Sequence, residues 1–150
     1  MLIEQAIPVE YVAGFLDGEG SIVLRKDKKG WFLLQIQISN THEGVLHQIA
    51  STFGGAVSPK NSLQLKMNNF RPQFTWSTSG QPSLPFLQKM LPFVIIKREH
   101  VELAIEFLKF CSPGSGRQLI GERKAQRVAI FERFKKLNQR GKQHKLLNSV

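Results

Sequence analysis

Glu19 stands between two glycines in Leu16-Asp17-Gly18-Glu19-Gly20, at the end of an apolar run that opens at Val12. Pro8 suits the first turn of a helix, where a missing N–H costs nothing. The run from Val12 to Leu16 then continues as helix. Gly14 and Gly18 lie one turn apart, and with Ala13 they strip side-chain bulk from one flank, so a second backbone can approach there. Glu19 is thereby placed at a helix C-terminus, which carries partial negative charge. A carboxylate at that position calls for a compensating cation, and a divalent metal is the simplest. Asp17, two residues earlier, is expected to make local hydrogen bonds at the helix end.

The residues that follow supply the frame. Gly20 permits a sharp exit, and Ser21 to Arg25 alternates as a strand. Lys26-Asp27-Lys28-Lys29-Gly30 reads as a turn. Trp31 to Ser39 alternates again, with Phe32, Leu34, Ile36 and Ile38 on one face. Thr41 to Phe53 has helical spacing and stops at Gly54-Gly55. Ala56 to Ser58 leads to a turn around Pro59-Lys60-Asn61. Two further alternating stretches follow, 62–68 and 73–77, with Phe74 and Trp76 inward. Helices are expected over 81–90, 97–110 and 121–138, with a polar, basic and frayed tail over 139–150. One domain over 1–138, an antiparallel sheet covered by helices on one face, is an α+β arrangement.

The totals narrow the partners. The chain has 150 residues, with 21 Lys and Arg against 11 Asp and Glu, a net charge of +10. A polyanion is the expected partner, nucleic acid first. No run is long enough to span a membrane, and no basic helix carries aromatic anchors for a lipid surface. Cys111 is the one cysteine, so no internal disulfide forms and a reducing, intracellular compartment is expected. His42, His47, His100 and His144 lack zinc spacing, and His42 is expected to cap or flank the 41–53 helix.

The outward strand positions are Ser21, Val23, Arg25, Gln35, Gln37, Ser39, Ser62, Gln64, Lys66, Gln73, Thr75 and Ser77. They are rich in Gln and Ser, include basic residues and contain no acid. Gln reads adenine edges in a major groove, while Arg and Lys read guanine. Lys26, Lys28, Lys29 and Lys60 sit in turns, where phosphate contacts position a complex without reading sequence.

Val12-Ala13-Gly14-Phe15-Leu16-Asp17-Gly18-Glu19-Gly20 resembles the motif of LAGLIDADG homing endonucleases, with Val at the first position and Glu as the final acid. The resemblance implies an αββαββα core with a saddle-like antiparallel sheet and additional C-terminal helices. It implies a site-specific double-strand DNA endonuclease, encoded in an intron, that hydrolyses phosphodiesters with Mg2+ or Mn2+, with Ca2+ as a non-cleaving substitute. Glu19 and the Gly18 carbonyl would be the metal ligands. Lys97, after Pro92-Phe93, would lie near the scissile phosphate, with Arg98 its neighbour, and Asn40 at the end of the second strand would order water.

The family uses two motif copies and this chain holds one, so a homodimer is expected across Ala13, Gly14, Asp17 and Gly18, on a long near-palindromic duplex. No small-molecule substrate is implied, and the compartment is an organelle or the cytoplasm of a bacterial or phage host. The competing readings are a non-cutting nucleic-acid binder on the same scaffold, an RNA maturase or regulator, and a basic structural protein of ribosome or membrane.

Overall fold

The computed structural model describes residues 6–60, 71–109 and 122–147. Helix α1, Val9–Glu19, leads directly into β1, Gly20–Lys26, and β2, Phe32–Asn40. Then come α2, Glu43–Phe53, and two strands, β3, Ala56–Pro59, and β4, Phe74–Ser79. A 3-10 turn over Gln81–Ser83 precedes α3, Leu84–Met90, followed by α4, Arg98–Lys109, and α5, Glu122–Leu147. The strands form one antiparallel sheet in the order β1-β2-β4-β3. The α+β class and the antiparallel sheet agree with the sequence reading.

Period-two alternation decides which way the sheet faces. Ile22, Leu24, Leu34, Ile36, Ile38 and Trp76 are buried, while their neighbours Ser21, Val23, Gln35, Gln37, Thr75 and Ser77 remain at least partly accessible. Helices cover the apolar side: Val12 and Leu16 of α1, Leu46 and Ile49 of α2, Phe86 and Leu87 of α3, Val101 and Phe107 of α4, and Ile130 and Phe134 of α5 all join the core. Trp76 anchors the centre, donating its Nε1–H to the Gly54 carbonyl at 2.8 Å. Gly55 is held at φ +86°, where a Cβ would stand 2.6 Å from the Ser77 carbonyl oxygen and 2.7 Å from Trp76 Nε1. Only glycine suits that crossing.

Three boundaries differ from the sequence pattern. Pro59 and Lys60 form no turn. Pro59 pairs with Phe74 in β3, and the Lys60 N–H donates to the Gln73 carbonyl at 2.8 Å. Bonded and non-bonded pairs alternate along an antiparallel ladder, so Pro59 falls at a non-bonded pair on an edge strand, where its missing N–H is harmless. The stretch from Gln81 opens as a 3-10 turn after Gly80 at φ +64°, and the α-helix starts at Leu84. Finally, α5 continues to Leu147 instead of fraying from Gln139. Gly141 is the one poor helix former in that extension, and its cost of about 1 kcal/mol is too small to end a long helix. The expected strand over 62–68 lies outside the described residues.

Candidate active site and nucleic-acid interface

The last turn of α1 carries two carboxylates, Asp17 and Glu19, and no basic residue. The chain treats them differently. Asp17 reaches across to the segment entering α4. Its Oδ2 accepts the Ile95 N–H at 2.7 Å and the Ile96 N–H at 3.2 Å, and its Oδ1 accepts the Lys97 N–H at 3.0 Å. In return, Lys97 Nζ donates to the Asp17 backbone carbonyl at 2.7 Å. The hydrogen bonds expected to be local are therefore long-range: a carboxylate from one helix end satisfies the orphan donors at the start of another, and a cation meets the negative end of α1.

Both ionisations respond to this contact. Burial works to raise the Asp17 pKa, yet the Ile95, Lys97 and Ile96 N–H bonds and the Lys97 charge outweigh it, so the carboxyl is held below its ordinary value. Burial pushes the Lys97 ammonium down, and the Asp17 charge offsets part of that. Lys97 is half-buried. An ammonium has three donors and the Asp17 carbonyl takes one, which leaves two for a ligand.

Glu19 has no such arrangement. It is exposed and has no ion-pair partner among the described residues. Gly20 after it is extended, at φ −89° and ψ 165°, so glycine is not needed there for a special dihedral. It is needed for clearance: a Cβ would sit 2.5 Å from Leu16 Cδ1 and 2.7 Å from the Leu16 carbonyl oxygen. That clearance lets β1 leave the helix immediately and fixes Glu19 at the junction. Carboxylate and carbonyl oxygens such as those of Glu19 and Gly18 suit a hard divalent cation. Among the described residues, however, no cluster of three or more His, Cys, Asp or Glu could hold one. The donor chemistry fits a metal, and one chain supplies an incomplete set.

The open flank of α1 is Tyr11, Gly14 and Gly18. A Cβ at Gly14 or Gly18 would meet nothing within 4 Å, and Tyr11 is 55% exposed. Ala13 does not belong to that flank. It is 0% exposed and packs with Val12 and Leu16 in the core, because one residue of helix turns the side chain by about 100°. Asp17 is occupied by the α4 entry. Tyr11, which the sequence reading passed over, lies three residues before Gly14 on the same stripe. The segment that Asp17 grips adds Ile95 and Ile96, 83% and 75% exposed.

Asn40 ends β2. It shares strand parity with Ile38, not with Gln37 and Ser39. Its Oδ1 accepts the His42 N–H at 2.8 Å, and the residue lines a cavity with Ile7, Pro8, Tyr11 and Phe15. It thus belongs to the helix-covered side of β2 and starts α2. His42 caps that helix, its Nδ1 accepting from the Val45 N–H at 3.1 Å.

The outward rows assemble as the alternation indicates. Ser21, Gln37 and Ser77 are in register across three strands, and Val23 faces Gln35. Ser39 faces Thr75, with their hydroxyls 2.9 Å apart. Arg25, Lys28 and Lys60 are exposed, and Gln73 is half-buried beside Lys60. Ser58, opposite Thr75, and Ser79, opposite Gln35, share this face. The pattern hid both, because Ser58 adjoins Pro59 and Ser79 precedes Gly80. Ser62, Gln64 and Lys66 lie outside the described residues.

Comparison with known proteins places this geometry. Residues 12–102 match the family model described as LAGLIDADG endonuclease. The archaeal intron-encoded homing endonuclease I-Vdi141I, solved in complex with DNA, superposes with a TM-score of 0.66 at 18% identity, over 86% of this chain and 82% of that one. The homing endonuclease I-TnaI gives 0.60 at 19%, over 91% and 99%. I-CvuI, solved with its target in the presence of calcium, gives 0.59 at 18%, over 87% and 94%. No curated protein matches the sequence. At these identities the superpositions establish a shared fold, and the family model spans the motif helix, the sheet and the Lys97 segment. The chain belongs to the LAGLIDADG endonuclease family.

Proposed function

We propose that the chain is a homodimeric, divalent-metal-dependent homing endonuclease that cuts both strands of a long near-palindromic DNA target. The observation that carries this reading is the division of labour in the last turn of α1. Asp17 is consumed by the α4 entry, while Glu19 is exposed beside the open Gly14 and Gly18 flank. A second copy packed on that flank brings two Glu19 carboxylates together and covers Tyr11, Ile95 and Ile96, which a monomer leaves in water. Contact between backbones at Gly14 and Gly18 needs no side-chain rearrangement.

Each residue then has a task. Glu19 and the Gly18 carbonyl would hold Mg2+ or Mn2+, with Ca2+ as a non-cleaving substitute. When bound, such an ion polarises the phosphoryl oxygen, supplies activated water and stabilises the leaving oxygen. Lys97, oriented by its bond to the Asp17 carbonyl, offers its remaining donors to a nonbridging phosphate oxygen as negative charge builds. The outward rows of β1, β2 and β4 read base edges, and Lys28 and Lys60 meet phosphates.

The test is to incubate the chain with a randomised duplex pool, with and without Mg2+, and to sequence the cut ends while sedimentation follows the oligomeric state. Magnesium-dependent cutting at a symmetric sequence by a dimer, lost when Gly14→Leu blocks the flank, is expected. Cutting of both strands by a monomer overturns the dimer. Sequence-selective binding with no cutting in Mg2+, nor with Mn2+ in its place, overturns the nuclease in favour of a nucleic-acid-binding protein.

A further inference from the structure

At the end of β1–β2 far from Glu19, the hairpin turn and the first turns of α5 enclose a second site. Lys26, Lys29, Trp31, Lys124 and Arg127 line a cavity of about 130 Å³, and no acid among the described residues lines it. That is the space of roughly four waters at about 30 Å³ each, room for one phosphate group. We propose that this cavity clamps a backbone phosphate of duplex DNA beyond the bases covered by the sheet. The proposal rests on the DNA-binding reading above and adds a contact to it.

The site is built in advance. Asp27 fixes the turn, its Oδ1 accepting the Lys29 N–H at 2.9 Å and the Trp31 N–H at 2.8 Å, so this carboxylate is engaged with backbone. Phe32 meets Phe131 of α5 at a tilt, with centroids 5.3 Å apart, and Phe107 of α4 edge-on at 6.5 Å. Hairpin and helix are therefore packed against each other. The Arg127 guanidinium lies over the Phe107 ring at 5.5 Å and Lys26 Nζ over Phe32 at 5.7 Å, which fixes two of the four cations. Trp31, 37% exposed, continues the outward parity of Leu33 and Gln35, so one wall of the cavity has the parity of the polar face.

Position gives the contact an address. The seven residues of β1 carry the chain about 20 Å from Gly20 to Lys26 at roughly 3.4 Å per residue. That length equals about six base pairs, counted outward from Glu19.

The test uses the full chain and the duplex it selects from a randomised pool. Lys29 and Lys124 are exposed, so Lys29→Gln with Lys124→Gln leaves the fold intact. On the full-length duplex the double variant should bind more weakly, and the slope of log affinity against log salt should fall by about two. On a duplex trimmed to about five base pairs either side of the cut, wild type and variant should bind alike. Lys89→Gln, on the helical layer at α3, should change neither. Equal slopes for wild type and double variant on the long duplex, or a loss that Lys89→Gln reproduces, overturn the clamp while leaving the nuclease reading standing. A wild-type chain that selects no duplex at all sinks both.

Discussion

The two ends of the β1–β2 hairpin carry opposite electrostatic arrangements. At the inner end, a helix C-terminus bears two carboxylates, and the fold neutralises one of them. Asp17 is answered by three N–H groups and Lys97, while Glu19 stands exposed. At the outer end, four cations line one cavity, and the Asp27 carboxylate of the turn accepts N–H groups of its own loop. A surplus of negative charge suits a metal, and a surplus of positive charge suits a phosphate. One hairpin thus carries an exposed carboxylate at one end and a cluster of cations at the other, about 20 Å apart by strand length, and the polar rows of the sheet lie between them.

The contrast can be broken from either side, and the inner end should respond most. Glu19→Gln removes the ligand charge and little else, so cutting should fall by at least about 1,000-fold in a single-turnover assay while duplex affinity stays close to wild type. Normal cutting by that variant would mean the metal is held elsewhere. Lys97→Met keeps the stem and deletes the ammonium, and should slow cutting by about 100-fold with binding retained.

Asp17→Asn should act more mildly and in two ways. Loss of the charged cap should cost about 1–2 kcal/mol in denaturant unfolding. Asp17 also raises the Lys97 pKa against the effect of burial, so its removal should move the alkaline limb of the pH–rate profile to lower pH. An unmoved limb would sever Asp17 from the reacting charge.

The smallest effect is on acid stability. The folded Asp17 carboxyl titrates below its ordinary 3.8, so its contribution is present above that value and is lost as pH falls through the lowered one. Wild type and Asp17→Asn should converge in stability at the acid end and diverge toward neutrality. Parallel curves would show that the cap carries no net weight.

Much of this was legible in the chain before any fold was known. Alternation at Ser21–Arg25 and Trp31–Ser39 assigns both faces of the sheet, because a half-buried strand has to repeat every second residue. Glu19 could be singled out because its neighbours are glycines at a helix end. The Asp17 contact could not be read, since its partners are 78–80 positions away in sequence and hydrogen bonds of that reach leave no local periodicity. Ala13 and Gly14 look interchangeable as small residues, and only the helix phase separates core from open flank. The side on which Asn40 lies is set the same way: strand parity sends it to the covered side of β2. Pro59 suggested a turn because proline usually interrupts a sheet, and only the edge position of β3 admits it.

The exposure of one carboxylate per chain at the α1–β1 junction has a kinetic consequence. If scission requires two such junctions, the cutting species at low abundance accumulates with the square of protein concentration. Halving expression would then reduce double-strand breaks about fourfold, a built-in threshold that spares a host genome from stray molecules.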